Sequence, residues 1–277
     1  MLPPQPIKPL VPEPSRVKRF RLEMAKAIPK VPNDRATLRK LQEKSLGEIL
    51  IDYVNWRARY VGVRQRKVII DPEMRTQPKW AEHALAVEAL FKKVESGEDL
   101  TPHLSLVPHS RGYARRAGMQ GALSDDKWSD KDFLLHGMNC HHFHLGHNVE
   151  RRGHVERTEN VLFADVTREE FTVVGIFDHS VFERDTPERR RLWELHDRIS
   201  FRGHPPGAVL FNAAITTSGH TLHGVHYAQH CARKVQLYEP LLNGRDFVDS
   251  MFAQASGKPP SGTNFAWGFN HLGHRRR

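Results

Sequence analysis

The stretch NVLFADVTREEFTVVGIF, residues 160–177, decides the fold. Two runs rich in β-branched and aromatic residues flank the polar segment Thr167-Arg168-Glu169-Glu170, the pattern of two strands joined by a four-residue turn. Alternate strand residues point to opposite sides, so Val161, Phe163 and Asp165 share one face, and Leu162 and Ala164 the other. On the return run Val173, Gly175 and Phe177 alternate with Val174 and Ile176. Apolar side chains on both faces imply a central hairpin covered by helices.

Outward from this hairpin lie further strands, helices and loops. NCHHFHLG (139–146) reads as a third, short strand, preceded by a helical turn over Asp130–Leu135 and followed by the charged loop HNVERRGHVERTE (147–159). PERRRLWELHDRI (187–199) reads as a helix with proline in its first turn. Upstream, the spacing predicts a helix over Pro78–Ser96, with Trp80, Leu85, Val87, Leu90, Phe91 and Val94 as its buried face and Gly97 as its stop. YVGVRQRKVII (60–70) alternates like a strand, and HLSLV (103–107) suggests a shorter one. Asn33-Asp34 marks a helix start. Leu38, Leu41, Leu46, Ile49 and Leu50 then recur at near-helical spacing, and the helix is expected to continue through IDYVNWRARY (51–60). Downstream, residues 207–240 read as a second hairpin turning near Ser218-Gly219, before a short helix over Phe247–Ala255.

No fixed-period repeat and no strand-helix-strand alternation is present. The expected class is therefore α+β, a mainly antiparallel sheet with helices packed on it and an extended Pro-rich N-terminal arm. The organisation reads as an arm (1–30), a helical region (31–97), a loop or linker (98–130) and a β-rich histidine-bearing region (131–277) that can form one domain with 31–97.

The chain has 277 residues, with 42 Lys plus Arg against 32 Asp plus Glu, a net charge of +10. Such an excess favours polyanionic partners, RNA or other nucleic acid foremost. Cys140 and Cys231 are too few for a disulfide scaffold, and no Cys-x-x-Cys pair offers a thiolate zinc finger. No apolar run approaches the roughly 18 residues of a membrane span. The N-terminus lacks the apolar core of a signal peptide. The expectation is a cytoplasmic protein with no membrane partner.

Chemistry points first to the strand CHHFHL. Cys140, His142 and His144 share one face; His141, Phe143 and Leu145 share the other, which makes His141 the structural one. The first face presents two imidazoles about 7 Å apart by the strand rise. Imidazoles so placed can act as general acid and base, ligate a metal with a third group, or hold a phosphate. Asp178-His179 leaves the end of the central hairpin, where side chains enter clefts. A second group, His220, His223, His226 and His230, is read as a polar strand because Gly219 and Gly224 disfavour a helix. A metal joining His142 and His144 to His226 is conceivable, but no metal motif supports it and no cofactor is expected.

Two basic segments add nucleic-acid character. VNWRARYVGVRQRK interleaves Arg57, Arg59, Arg64, Arg66 and Lys67 with Trp56 and Tyr60, and SRGYARR offers Arg111, Arg115 and Arg116. Guanidinium groups bind phosphates, and aromatic rings stack on unpaired bases. The plainer reading is a solvated face with its rings in the core.

The histidine strand, the Arg-bearing loop and RTENVLFADVTREEFTVVGIFDHSVFE (157–183) together resemble the C-terminal half of RelE/HigB/ParE-type toxins, over residues 138–184. Those are small bacterial ribonucleases, ribosome-associated or free, or gyrase inhibitors. The resemblance implies an endoribonuclease with an antitoxin or ribosome partner. By similarity His142, His144, Arg157 and His179 fall near RNA-handling positions. This chain departs in being far longer and in using His where many such toxins use Lys, Arg and Tyr. The implied mechanism is metal-independent: His142 and His144 serve as base and acid, Arg157 stabilises the phosphate, and His179 stands in reserve. A non-catalytic nucleic-acid-binding protein and a metal-dependent hydrolase are the alternatives.

Overall fold

A computed structural model describes residues 12–105, 107–114, 133–209, 215–216, 219–253 and 264–269. The Pro-rich segment 1–11 and residues 115–132 of the 98–130 loop lie outside these. The helices are α1 Ser15–Ala27, α2 Arg35–Glu43, α3 Leu46–Arg57, α4 Pro78–Ser96, α5 Val107–Ser110, α6 at 133–138, α7 Pro187–Ser200, α8 Leu222–Tyr238 and α9 Arg245–Phe252. The strands are β1 Lys30–Val31, β2 Lys67–Ile69, β3 Tyr113–Ala114, β4 Cys140–His144, β5 Asn160–Val166 and β6 Glu170–Asp178.

The protein is α+β. Its sheet has the order β2-β6-β5-β4, antiparallel except where β2 runs parallel to β6. The central hairpin is β5–β6, and Thr167 closes its turn by bonding to the Glu170 carbonyl at 3.0 Å. Val161, Leu162, Phe163, Phe171, Val173 and Phe177 are fully buried. At about 1.5–3 kcal/mol per large apolar side chain, this hairpin is the main source of stability in its half of the molecule. Helix α4 covers one sheet face, where Phe91 meets Phe171. Helix α7 covers the other, where a Cβ on Gly175 would lie 3.5 Å from Leu195.

A second apolar core joins α1, α2, α3 and α8. Helices α3 and α8 run antiparallel, since Ala232 approaches Gly47 while Gly224 approaches Val54. Small residues at both points let the backbones come close.

Several sequence expectations are corrected. Residues 34–60 are two helices, because Ser45 and Glu48 form a reciprocal capping box that starts α3 afresh. Only Lys67–Ile69 of the 60–70 run pairs as a strand. Residues before it form a loop whose carbonyls at Gly62 and Arg64 accept from the Arg66 guanidinium. Leu85 is 84% exposed, since Trp80, Val87, Leu90, Phe91 and Val94 define a face it opposes. Of the HLSLV segment, His103 ends one short helical turn and Val107 begins another, and Leu104 and Ser105 form no strand.

The largest correction is at 207–240, where the expected hairpin's second half is helix α8. Thr221 caps it by accepting from the Gly224 N–H at 2.9 Å. A Cβ on Gly224 would lie 2.8 Å from the Thr221 hydroxyl. The glycine read as a helix breaker is the residue that lets the cap form. Ala228, Ala232 and Val235 then supply the buried face at helical spacing.

Candidate functional site

Strand β4 is at the sheet edge, paired with β5 in the register His142↔Phe163 and His144↔Val161. His141 faces inward as expected. It is 9% exposed and its Nε2 donates to the Ala58 carbonyl at 3.1 Å, tying the sheet to the end of α3. Burial, aided by His136 and Arg66, pushes its pKa down to about 4, against the raising effect of the Ala58 bond.

The other face of β4 is not open. His142 is half-buried, with its ring 5.0 Å from Phe182 and 5.9 Å from Phe163. His144 is 3% exposed. Its ring centroid lies 5.9 Å from His142 and 6.1 Å from His179, on which it stacks. The structure thus groups His142, His144 and His179 in one row, half-buried, buried and exposed in turn. The sequence placed the two strand histidines on one face correctly. It had no means of showing that Phe182, on the helical turn His179–Phe182, folds back against His142 and His179.

His179 Nδ1 lies 2.7 Å from the Glu159 carbonyl. A carbonyl only accepts, so Nδ1 carries the proton and the Nε2 lone pair is left for chemistry. Asp178, its neighbour, diverges from it: it caps the following turn through Ser180 and accepts from Lys79 at 3.0 Å. Burial raises the Asp178 pKa, but bonds from Ser180 and Lys79 outweigh this and hold it low. Lys79 also reaches Glu188 at 3.0 Å, clamping α4 to α7 at this sheet end.

Sequence reasoning did not single out His103. Its Nδ1 donates to the His144 carbonyl at 2.9 Å and its Nε2 meets Lys93 Nζ at 3.0 Å. Burial and the Lys93 charge lower its pKa. His83, also missed, meets the Asn160 amide at 3.1 Å. Neither lies within a histidine cluster of the sequence, so no local pattern could mark them.

Arg157 is exposed on the return limb of the β4–β5 loop, two residues before Glu159. The loop is pinned to β4 where Leu145 N–H donates to Thr158 Oγ1 at 3.2 Å. Among the described residues no hydrogen bond or ion pair engages the Arg157 side chain.

The expected basic segment divides in two. Arg64, Arg66 and Lys67 lie by the β5–β6 turn: Arg66 is buried and donates to the Thr167 carbonyl at 2.9 Å, Arg64 pairs with Glu169 at 3.8 Å, and Lys67 registers with Glu170. Trp56, Arg57 and Arg59 turn instead toward α5. Trp56 Nε1 donates to the Pro108 carbonyl at 2.9 Å, and buried Arg59 donates to the Arg111 carbonyl at 3.2 Å. Arg57 lies 5.4 Å over Trp56 and 4.7 Å over Tyr60. Arg115 and Arg116 lie outside the described residues.

From there the rings continue. Tyr60 meets His109 edge-on at 5.5 Å, and His109 meets His154 of the β4–β5 loop at 4.8 Å. His154 is buried, while His109 is exposed. Burial and His154 lower the His109 pKa, with Asp99 opposing. The contacts draw the end of α3, α5 and the 147–157 loop onto one face. These segments carry the exposed residues Arg111, Arg151, Arg152, Arg157, His109 and His147, with the acidic Glu150 and Glu156 in the same loop.

Among the described residues no group of three or more His, Cys, Asp or Glu is placed to hold a metal ion. No helix among them is long and apolar enough to cross a membrane. The chain matches no family model, and no curated protein or solved structure is found to be similar to it.

Proposed function

We propose that the protein binds single-stranded RNA on the face formed by the end of α3, α5 and the 147–157 loop. The observation that carries this is convergence: three basic segments distant in sequence meet through the Trp56–Pro108, Arg59–Arg111 and His109–His154 contacts. Arg111, Arg151, Arg152 and Arg157 are exposed there, and among the described residues no ion pair or hydrogen bond engages their side chains. Arginines held ready for phosphates, beside the exposed His109 ring and the Arg57–Tyr60 stack, suit an unpaired strand. Arg59 and Arg66, buried and bonded to carbonyls, serve the scaffold.

A second reading, a metal-independent endoribonuclease of the toxin-like kind, is favoured by one observation, the exposed His179 with its Nδ1 proton fixed on Glu159. In that reaction His179 Nε2 takes the ribose 2′-hydroxyl proton, and the 2′-oxygen attacks phosphorus. The bond to the 5′-oxygen breaks, and that oxygen takes a proton from water. A 2′,3′-cyclic phosphate and a 5′-hydroxyl result. Arg157 supplies positive charge to the phosphate. His144, which is buried, and His142, packed on Phe182, position His179 rather than touch substrate.

Binding and cleavage of a labelled single-stranded RNA test both readings. The combined change Arg111→Gln, Arg151→Gln and Arg152→Gln is expected to weaken binding and flatten its salt dependence by about 2 in the log–log slope, at about 0.7 per phosphate contact. Unchanged affinity overturns the binding face. Cleavage in EDTA that falls by about 10²–10⁴ in His179→Ala supports the nuclease. Absence of cleavage with intact binding overturns it.

A further inference from the structure

Helix α8 carries a second cationic surface. It is 17 residues long and contains no Asp or Glu. At 100° per residue, His223, His226, His230, Arg233, Lys234 and Leu237 fall within about a 100° arc, opposite the buried Ala228, Ala232 and Val235. All six stripe residues are exposed. Among the described residues none of the three histidines makes a hydrogen bond, ion pair or ring contact.

Helix stability does not explain the arrangement. The first turn has no acidic residue, and His223 and His226 sit near the positive end of the helix dipole, where cations are unfavourable. The elements packed on α8 direct their charges elsewhere. Asp52 of α3 takes Lys44 at 2.5 Å and faces His220 at 3.7 Å. Glu48 of α3 is held in its own cap by Ser45. Glu239, just past α8, is held by Arg16 and by Trp267. Asp246 and Asp249 belong to α9, beyond the far, C-terminal end.

The stripe also has a direction. Because α8 runs antiparallel to α3, its His223 end lies beside Val54 and the Trp56–Arg57 end of α3, where the proposed RNA face begins. From that point it runs about 20 Å along the helix.

We propose that the outward stripe of α8 is a second contact for the phosphate backbone of the same RNA strand, engaged more tightly in mildly acidic solution. The choice of RNA rests on the reading of the α3–α5 face. The stripe itself rests on α8 alone. Arg233 and Lys234 offer charge at any physiological pH, and imidazole is the side-chain type that gains charge in mildly acidic solution.

The test measures binding of a labelled oligouridine at about pH 7.5 and about pH 5.8. It compares the wild type, the variant His223→Gln/His226→Gln/His230→Gln, and the variant Arg111→Gln/Arg151→Gln/Arg152→Gln. Thermal melts confirm that each is folded. Wild-type affinity is expected to rise about tenfold or more at the lower pH, with the salt slope steeper by about 2. The histidine variant should lose that increment, while the arginine variant keeps it. An equal increment in the histidine variant, or none in the wild type, overturns the stripe. Binding only at the lower pH, lost in the histidine variant, overturns the α3–α5 face and leaves the stripe standing. Binding to phosphatidylserine vesicles without binding to oligouridine overturns RNA as the occupant.

Discussion

Strand β4 and helix α8 each carry three histidines and treat them oppositely. In CHHFH the histidines are buried or half-buried, and His141 is bonded to a carbonyl of another helix. In LHGVHYAQH they stand in solvent. The difference lies in what each element must cover. A strand with helices on both sheet faces has no free side, so every imidazole on it needs a partner. A helix packed on one neighbour keeps most of its circumference in water. Histidine count therefore marks neither region as a site. Periodicity and the number of covered faces decide whether an imidazole can meet a ligand.

The largest effect expected from this contrast is acid sensitivity seated in β4. His141 is kept neutral by burial, from the ordinary 6.5 down to about 4. Between those values the unfolded chain binds a proton that the folded chain refuses. Stability from this group is therefore complete above about pH 6.5 and lost as pH falls through about 4, a change of about 3 kcal/mol. His103, shifted in the same direction, adds to it. Urea midpoints at neutral pH and near the lower limit should show the loss. His141→Gln, which keeps a donor for Ala58 but cannot titrate, should reduce it. A wild-type midpoint that does not move removes the contrast.

Next in size is truncation at neutral pH. His141→Ala leaves the Ala58 carbonyl without its donor and opens a void against the α3 end, a cost of about 2–3 kcal/mol. Chemical denaturation measures it. A loss below about 0.5 kcal/mol would mean that the β4 histidine is no more committed than those of α8.

The prediction for α8 itself also bears on what the sequence could reveal. Thr221→Ala removes the hydroxyl that accepts from Gly224 and should cost about 1 kcal/mol, with a loss of helical circular dichroism that a strand would not show. Gly219 and Gly224 point to a hairpin over residues 207–240, although Ala228, Ala232 and Val235 recur at helical spacing. The central hairpin was legible because its apolar runs have period two and its turn is polar. Helices α4 and α7 were legible from proline at the start of each and from Gly97 after α4. The candidate site was only half legible. His142, His144 and His179 were found because they lie in or beside one strand pair. Phe182 against His142 and His179, the Lys93–His103 contact, and the joining of α3 to α5 depend on long-range packing that no local pattern carries. The splitting of the basic run has the same cause, since Arg59 and Arg66 are claimed by carbonyls 52 and 101 residues away.

The smallest effect is the sharpest test of the contrast. His226→Ala and His230→Ala remove exposed side chains that make no hydrogen bond, ion pair or ring contact among the described residues. Each is expected to change stability by no more than about 0.5 kcal/mol, and alanine's higher helix propensity can make the change favourable. The same substitution is thus expected to be several-fold more costly at His141 than at either α8 position, and denaturation of the three variants side by side measures the ratio. A cost of about 2 kcal/mol at His226 would show that the outer face of α8 is packed against another part of the chain. The stripe would then be part of the scaffold, as His141 is, and no longer open to a polyanion.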